Sequence, residues 1–238
     1  ISHIRGKQYL YDEGVRVPLI IAGPGVEAGG QRNDMVEHID ITPTSLALAD
    51  MEIPVWMQAR DILAGDYEQR SEVFSARDRC DETVEHMRSV RTDRYKYIRN
   101  YLPERPHLQP NAYKDNKAIM ISFRQAGEDG SLTKVQRTLL APVRPEEELY
   151  DLSRDRYELR NLAGKAKYAD VLNDMRKRLL VWEQATGDQG VHSESPEMFD
   201  SDMQVYIDTL ETRRQDPKRL AEIKSNIELM KRWAAEGK

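Results

Sequence analysis

Gly6-Lys7-Gln8-Tyr9-Leu10-Tyr11-Asp12-Glu13-Gly14-Val15-Arg16-Val17-Pro18-Leu19-Ile20-Ile21-Ala22 is the most patterned stretch of the chain, and its end points to a fold class. Val17 to Ala22 is a short apolar run closed by Gly23-Pro24-Gly25, the pattern of a strand buried on both faces. Pro18 has no N–H to give to a ladder, so it fits only at the strand's start or beside an unpaired edge. Downstream, Asp40-Ile41-Thr42-Pro43-Thr44 opens a helix. Thr42 is the expected N-cap, with Pro43 in the first helical position, where a missing N–H costs nothing. Leu46, Leu48 and Ala49 continue the helix until Ile53-Pro54 breaks it. Residues 1–65 therefore read as α/β.

Further out the pattern changes. Glu72-Val73-Phe74-Ser75-Ala76 reads as a strand, and Met87–Arg91 with Arg94–Tyr101 as a hairpin around Thr92-Asp93. In the second arm Tyr95, Tyr97 and Tyr101 share one face while Lys96, Ile98 and Asn100 share the other. Residues 103–145 read as a polar, Pro-rich insertion with a short helix near 131–140, and Glu148–Leu152 returns as a strand. Residues 66–188 thus form a small α+β subdomain around an antiparallel sheet. The remainder is helical. Tyr168, Val171, Leu172, Met175, Leu179 and Trp182 make one apolar stripe that Gly187 stops. Two further stripes run from Phe199 to Leu210 and from Leu220 to Trp233, forming a helical tail over 189–238.

The chain has 238 residues, 39% hydrophobic and 32% charged, as expected of a folded globular chain. No run approaches the roughly 20 apolar residues of a spanning helix. A net charge of -5 argues against nucleic-acid binding through bulk electrostatics. The lone cysteine, Cys80, excludes an internal disulfide and a Cys-rich zinc site. The chain begins at Ile1 and runs straight into a motif expected mid-protein, so it reads as part of a longer protein.

Gly6 to Ile20 resembles the G-K-x-x-x-Y-[ED]-x-G-x-R-V-P-L-I signature of type I, formylglycine-dependent sulfatases of the alkaline phosphatase superfamily. His38–Thr44, Met87–Thr92, Arg94–Ile98 and Glu148–Leu152 with Glu158–Ala163 follow in the order that family would show. Tyr150–Asp155 and Trp182–Asp188 are similar to its sulfamidase (heparan N-sulfatase) branch. The resemblance implies the C-terminal part of an alkaline-phosphatase-like α/β fold, with a small antiparallel sheet subdomain and C-terminal helices. It also implies a sulfated saccharide as substrate, calcium or another divalent cation, a formylglycine nucleophile and a periplasmic or extracellular setting.

Sulfate-ester hydrolysis needs cationic groups against developing negative charge, and a nucleophile in line. The formylglycine precursor motif, C/S-x-P/A-x-R, is missing: Cys80 is followed by Asp81-Glu82-Thr83-Val84, and no serine fits. The family's metal-binding Asp pairs are expected upstream, so the chain alone is expected to be inactive and to depend on an upstream catalytic segment. Lys7, by resemblance, contacts the sulfate oxygens, where a compact ammonium neutralises charge. His3 and Arg5 flank it as further candidates for substrate binding. Tyr11, Gly14, Arg16 and Pro18 are expected to be structural, with Arg16 pairing an acid. The second candidate substrate site is Arg77-Asp78-Arg79, following the predicted strand, where Arg meets sulfate or carboxylate and Asp accepts from hydroxyls. Glu82 and His86 lie nearby, and Cys80 reads as a small filler. His38 reads as a packed histidine.

Alternatives remain open: a phosphatase or phosphodiesterase of the same superfamily, or a non-catalytic sugar-binding or assembly module. The stripe holding Met230 and Trp233 raises a possible homodimer. The strand at 19–22 is expected to expose unpaired edges without its upstream neighbours.

Overall fold

A computed structural model describes residues 3–190, 192, 194–214 and 216–238. Its centre is a four-stranded antiparallel sheet in the order β1 (Glu72–Cys80), β2 (Thr83–Thr92), β3 (Tyr95–Asn100) and β4 (Glu147–Asp151). The β2–β3 hairpin turns at Asp93-Arg94, with Met87 opposite Asn100 and Arg91 opposite Lys96. Between β3 and β4 the chain makes α3 (Ala112–Asp115), α4 (Ala118–Glu128) and α5 (Lys134–Arg137). Three longer elements end it: α6 (Ala169–Thr186), α7 (Pro196–Thr212) and α8 (Pro217–Ala235). The N-terminal part holds only a one-turn α1 (Asp12–Val15) and α2 (Ile41–Leu48).

Strand alternation sorts the core into two layers. Val90, Tyr97 and Leu149 face α6, meeting Leu172, Met175 and Leu179. Each such side chain contributes about 1.5–3 kcal/mol on leaving water. Gly187 ends α6 in the left-handed conformation, φ 65°, as the sequence pattern requires. On the opposite face Met87, Ile98 and Tyr150 pack with Tyr9, Leu10 and Tyr11 of the N-terminal loop and with Met120 and Phe123 of α4. A third cluster joins α7 and α8 to Val84 and Ala112. Met230 and Trp233 belong to it, so that stripe packs against the chain's own core. Ser195 and Asp216 cap α7 and α8, each with proline following at the first helical position.

Several expectations are corrected. Val17 to Ala22 forms no strand; Val17 and Ile20 stand 72% and 88% exposed. A strand needs a neighbour for its N–H and C=O groups, and among the described residues none runs beside it. The sheet belongs instead to the middle of the chain. Helix α2 begins at Ile41, not at Thr42, because it continues a 3-10 turn at His38–Asp40 that carries a capping box of Glu37 and Asp40, and the Asp40 carboxylate also accepts from Arg60 and Arg70. Strand β1 runs on through Arg77, Asp78, Arg79 and Cys80, so these are strand residues and not a loop. The insertion holds α3 and α4 besides the expected short helix. His38 is exposed, and Arg16 is exposed, whereas Arg5 ties the motif loop down. No helix among the described residues is long and apolar enough to cross a membrane.

Candidate functional site

The motif loop is held from below. Tyr9 donates to the His107 carbonyl at 2.8 Å and Tyr11 to Glu148 at 2.7 Å, both from within the core. Helix α1 is anchored by the fully buried Lys96, whose ammonium lies 2.6 Å from Asp12 and 3.0 Å from Glu158. Burial pushes both carboxyls up; at Asp12 the Lys96 and Arg91 charges override it and hold the group low, while Glu158 stays raised. Asp12 is therefore the main counter-charge to Lys96. Gly14 closes the loop: a Cβ there would overlap the Tyr9 carbonyl oxygen and stand 2.7 Å from that of Gly6. Gly14→Ala forces backbone to move, and a loss of about 3 kcal/mol is expected in denaturant unfolding of the full-length protein. An unchanged midpoint would show that the loop gives way freely.

Above this frame sits Lys7, exposed, with its ammonium 5.6 Å from the Tyr113 ring centre. Gln8 beside it takes φ 86°, a left-handed conformation costly for a side chain with a Cβ. Two contacts hold it there. Its amide donates to the Cys80 sulfur at 2.6 Å, and its carbonyl accepts from Arg77 at 2.5 Å. The strained residue thus joins the motif loop to the end of β1 and turns Lys7 outward.

The predicted residues separate into two groups. Lys7 and Arg77 come together through Gln8, with Cys80 between them. Arg77 points inward, its guanidinium 5.4 Å from the Tyr9 ring and 3.9 Å from Glu85. Burial raises the Cys80 thiol, as expected of a filler and not a nucleophile. Asp78 and Arg79 form the second group. Arg88, 1% exposed, donates to Asp78 at 2.6 Å and to both oxygens of Asp188 at 2.7 and 2.9 Å. Asp78 keeps a largely exposed carboxylate held in place by that arginine. Arg79 pairs with Asp202 of α7 and with Glu194 at 3.5 Å. Gly190 lets the chain pass over Arg88, since a Cβ there would overlap the guanidinium. The register shift between Arg77 and Arg79 separates the two groups along β1.

His3 is exposed beside the loop. Arg5 is buried, donating to the Glu158 and Tyr157 carbonyls at 2.9 and 2.5 Å and lying 4.3 Å over Tyr11. Its donors serve the loop's anchorage. Glu82 is buried and accepts from Ala112 N–H and Asn226 of α8; His86 is buried beneath Asp78, and burial lowers its pKa. Sequence reading missed Lys114 and Lys117 of the insertion, the first over Tyr9 of the motif loop and the second over the ring that Lys7 also faces. The Lys114 ammonium lies 4.1 Å from the Tyr9 ring, and that of Lys117 lies 4.6 Å from the Tyr113 ring. Tyr-Lys in a polar segment carries no periodic signal that would mark it.

Among the described residues no cluster of three or more His, Cys, Asp or Glu side chains could hold a metal ion. Cys80 lies within β1, outside the formylglycine precursor motif. The described residues therefore fit neither a divalent cation nor formylglycine.

The family model for N-sulphoglucosamine sulphohydrolase, C-terminal, matches residues 4–119. An ulvan-active sulfatase of Formosa agariphila is 35% identical over 194 residues, covering 80% of this chain and 32% of the relative. A second ulvan-active sulfatase from that organism is 27% identical over 194 residues, covering 78% of this chain and 36% of the relative. A solved structure of a 2-O GAG sulfatase superposes with TM-score 0.54 at 22% identity, covering 83% of this chain and 35% of the other. The chain thus spans about a third of the length of the curated relatives it matches. It belongs to the sulfatase family, as a C-terminal portion with that family's alkaline-phosphatase-like fold.

Proposed function

We propose that the full-length protein hydrolyses sulfate esters or sulfamates on a sugar, and that this chain supplies one sulfate-contacting cation and part of the saccharide pocket. The observation that carries the reading is Lys7. It is an exposed lysine at a turn held by a strained neighbour and a buried motif frame. An ammonium so fixed neutralises charge on the sulfate oxygens without reorganising during reaction. Asp78, oriented by Arg88, accepts from sugar hydroxyls; Arg79 at the edge of that group meets an anionic substituent. His3 borders the loop that carries Lys7. Arg5 and Arg77 act by holding the loop that presents it.

The nucleophile and the cation, as the family implies, belong to the rest of the protein, and this chain alone releases no sulfate. Residues 1–65 belong to the α/β catalytic domain, with 66–188 as the subdomain and 189–238 as its helical tail. Val17, Ile20, Val55 and Trp56, exposed at 72%, 88%, 98% and 75%, are apolar side chains that the rest of the protein would cover. The sulfamidase model match favours an N-sulfated glucosamine among the sugars. The setting implied by the family is the periplasm or the outside of the cell.

The test is release of inorganic sulfate, measured by ion chromatography, from O-sulfated and N-sulfated saccharides offered to the full-length protein. Release from at least one is expected, and none from this chain alone. A folded full-length protein that releases no sulfate but hydrolyses phosphate esters would overturn the reading.

A further inference from the structure

Lys114 breaks the usual rule for buried charge. It is 4% exposed, and its ammonium has no hydrogen-bond partner among the described residues. Buried ammonium groups are normally paired, because desolvation costs several kcal/mol. Asp115, the carboxylate whose charge acts on it, is committed elsewhere: it accepts from Arg124 at 2.8 Å and from Asn111 N–H at 2.9 Å. The neighbours add positive charge. Tyr9 carries both Lys114 at 4.1 Å and Arg77 at 5.4 Å, and Tyr113 carries both Lys117 at 4.6 Å and Lys7 at 5.6 Å. The Arg77 Nε is also buried without a partner among the described residues. Two cations thus lie over Tyr9 and two over Tyr113, the residue before Lys114 on α3, in a chain whose net charge is -5.

We propose that Lys114 and Lys117, ranged around Tyr9 and Tyr113 beside Lys7, form a subsite for a second anionic group of the saccharide, a carboxylate or a second sulfate. The inference rests on the sulfated-sugar reading above and deepens it. An anion at this place supplies the acceptor that Lys114 lacks and offsets the mutual repulsion of the four cations. The two rings give the apolar backing on which a sugar face rests. Burial lowers the Lys114 ammonium to about 8, with Arg77 adding to the effect, so it remains mostly charged at neutral pH. Position suits the role: α3 holds Lys114 under the loop whose next residues present Lys7 to the sulfate. The subsite therefore selects substrates with two anionic groups over those with one.

The test compares kcat/KM of the full-length enzyme on three saccharides of one backbone: monosulfated, disulfated, and monosulfated with a uronic carboxylate. In wild type both dianionic substrates, or one of them, are preferred, and which one is preferred tells carboxylate from sulfate. Lys114→Met is expected to lower that preference by about tenfold to a hundredfold, the worth of one charge-assisted hydrogen bond. Lys114→Arg is expected to retain most of it. Lys117→Met, at a part-exposed position, gives a second reading free of folding loss and is expected to lower the preference several-fold. A preference that stays at the wild-type value in both methionine variants overturns the proposal. If wild type hydrolyses none of the three, the hydrolase reading fails. The subsite is then decided by calorimetric binding of the disulfated saccharide: weaker binding in the two methionine variants supports it, and equal binding overturns it.

Discussion

Arg144→Met is expected to lower the unfolding free energy by about 3–5 kcal/mol, the usual cost of breaking a buried pair from one side. Arg144 and Glu85 are both fully buried, and the guanidinium grips both carboxylate oxygens, with Nη1 2.7 Å from Oε2. Arg144 ends the insertion and Glu85 lies in β2, so the pair closes the α3–α5 excursion onto the sheet. Gln109 adds a donor to Glu85 at 2.9 Å, and Arg144 also donates to the Leu102 carbonyl at 3.1 Å. Without Arg144 the carboxylate keeps, among the described residues, only Gln109 as a direct side-chain donor, with Arg77 at 3.9 Å. The double replacement Glu85→Leu with Arg144→Met should cost less than Arg144→Met alone, because the two close partners leave together and only the longer 3.9 Å contact of Arg77 is lost.

The same pair sets an acid limit. Burial alone would raise the Glu85 carboxyl, but Arg144 outweighs it and brings the group from 4.5 down to about 2. A folded-state value below the unfolded one gives stability that is complete above about pH 4.5 and lost as pH falls toward about 2. That window is worth about 3 kcal/mol at 1.36 kcal/mol per unit. Urea unfolding of the full-length protein between about pH 2 and about pH 7 should show an acid loss in wild type that is smaller by about 3 kcal/mol in the double variant, where Asp12 still titrates low. A cost below about 1 kcal/mol for Arg144→Met would show that the pair contributes no more than a surface bridge.

How much of this was legible in the sequence depends on where each residue's partner lies. The β2–β3 hairpin, β4, α6 and the two tail helices could be read because their apolar periods are local, and Gly187 and Pro196 punctuate them nearby. The apolar run at 17–22 misled for the same reason: period says buried, but a strand also needs a neighbour, which is a nonlocal fact. Arg77 to Cys80 looked like a loop because charged residues seldom fill a strand. Their counter-charges, Glu85 and Arg88 of β2, Glu194 just before α7 and Asp202 within it, come from other segments and compensate only in the fold. Lys96 shows the same limit, since a buried lysine is legible only once Asp12 and Glu158 stand beside it. The motif lysine was found through family resemblance. Lys114 was not found, because its burial comes from Tyr9 and its position from a four-residue helix in a segment without period.

Lys7→Ala is expected to reduce kcat of the full-length enzyme by about a hundredfold to a thousandfold, the range for removing one preorganised group facing transition-state charge. The fold should hardly register the change. Lys7 is exposed and makes no hydrogen bond or ion pair among the described residues; its one aromatic contact, with Tyr113 at 5.6 Å, is long and exposed, worth about 0.5–1 kcal/mol at most. Arg5→Ala makes the contrast. It removes donors at 2.9 and 2.5 Å from two carbonyls and a cation over Tyr11, so it should lower the unfolding midpoint through the motif loop. Lys7→Arg keeps the charge but replaces a compact ammonium with a planar fork, and should recover only part of the rate. The decisive pattern is therefore a rate lost without stability at Lys7, against stability lost at Arg5. Equal thermal midpoints with kcat within threefold of wild type for Lys7→Ala would remove this lysine from the sulfate site. The motif would then act only as the frame built by Tyr9, Tyr11, Asp12 and Gly14.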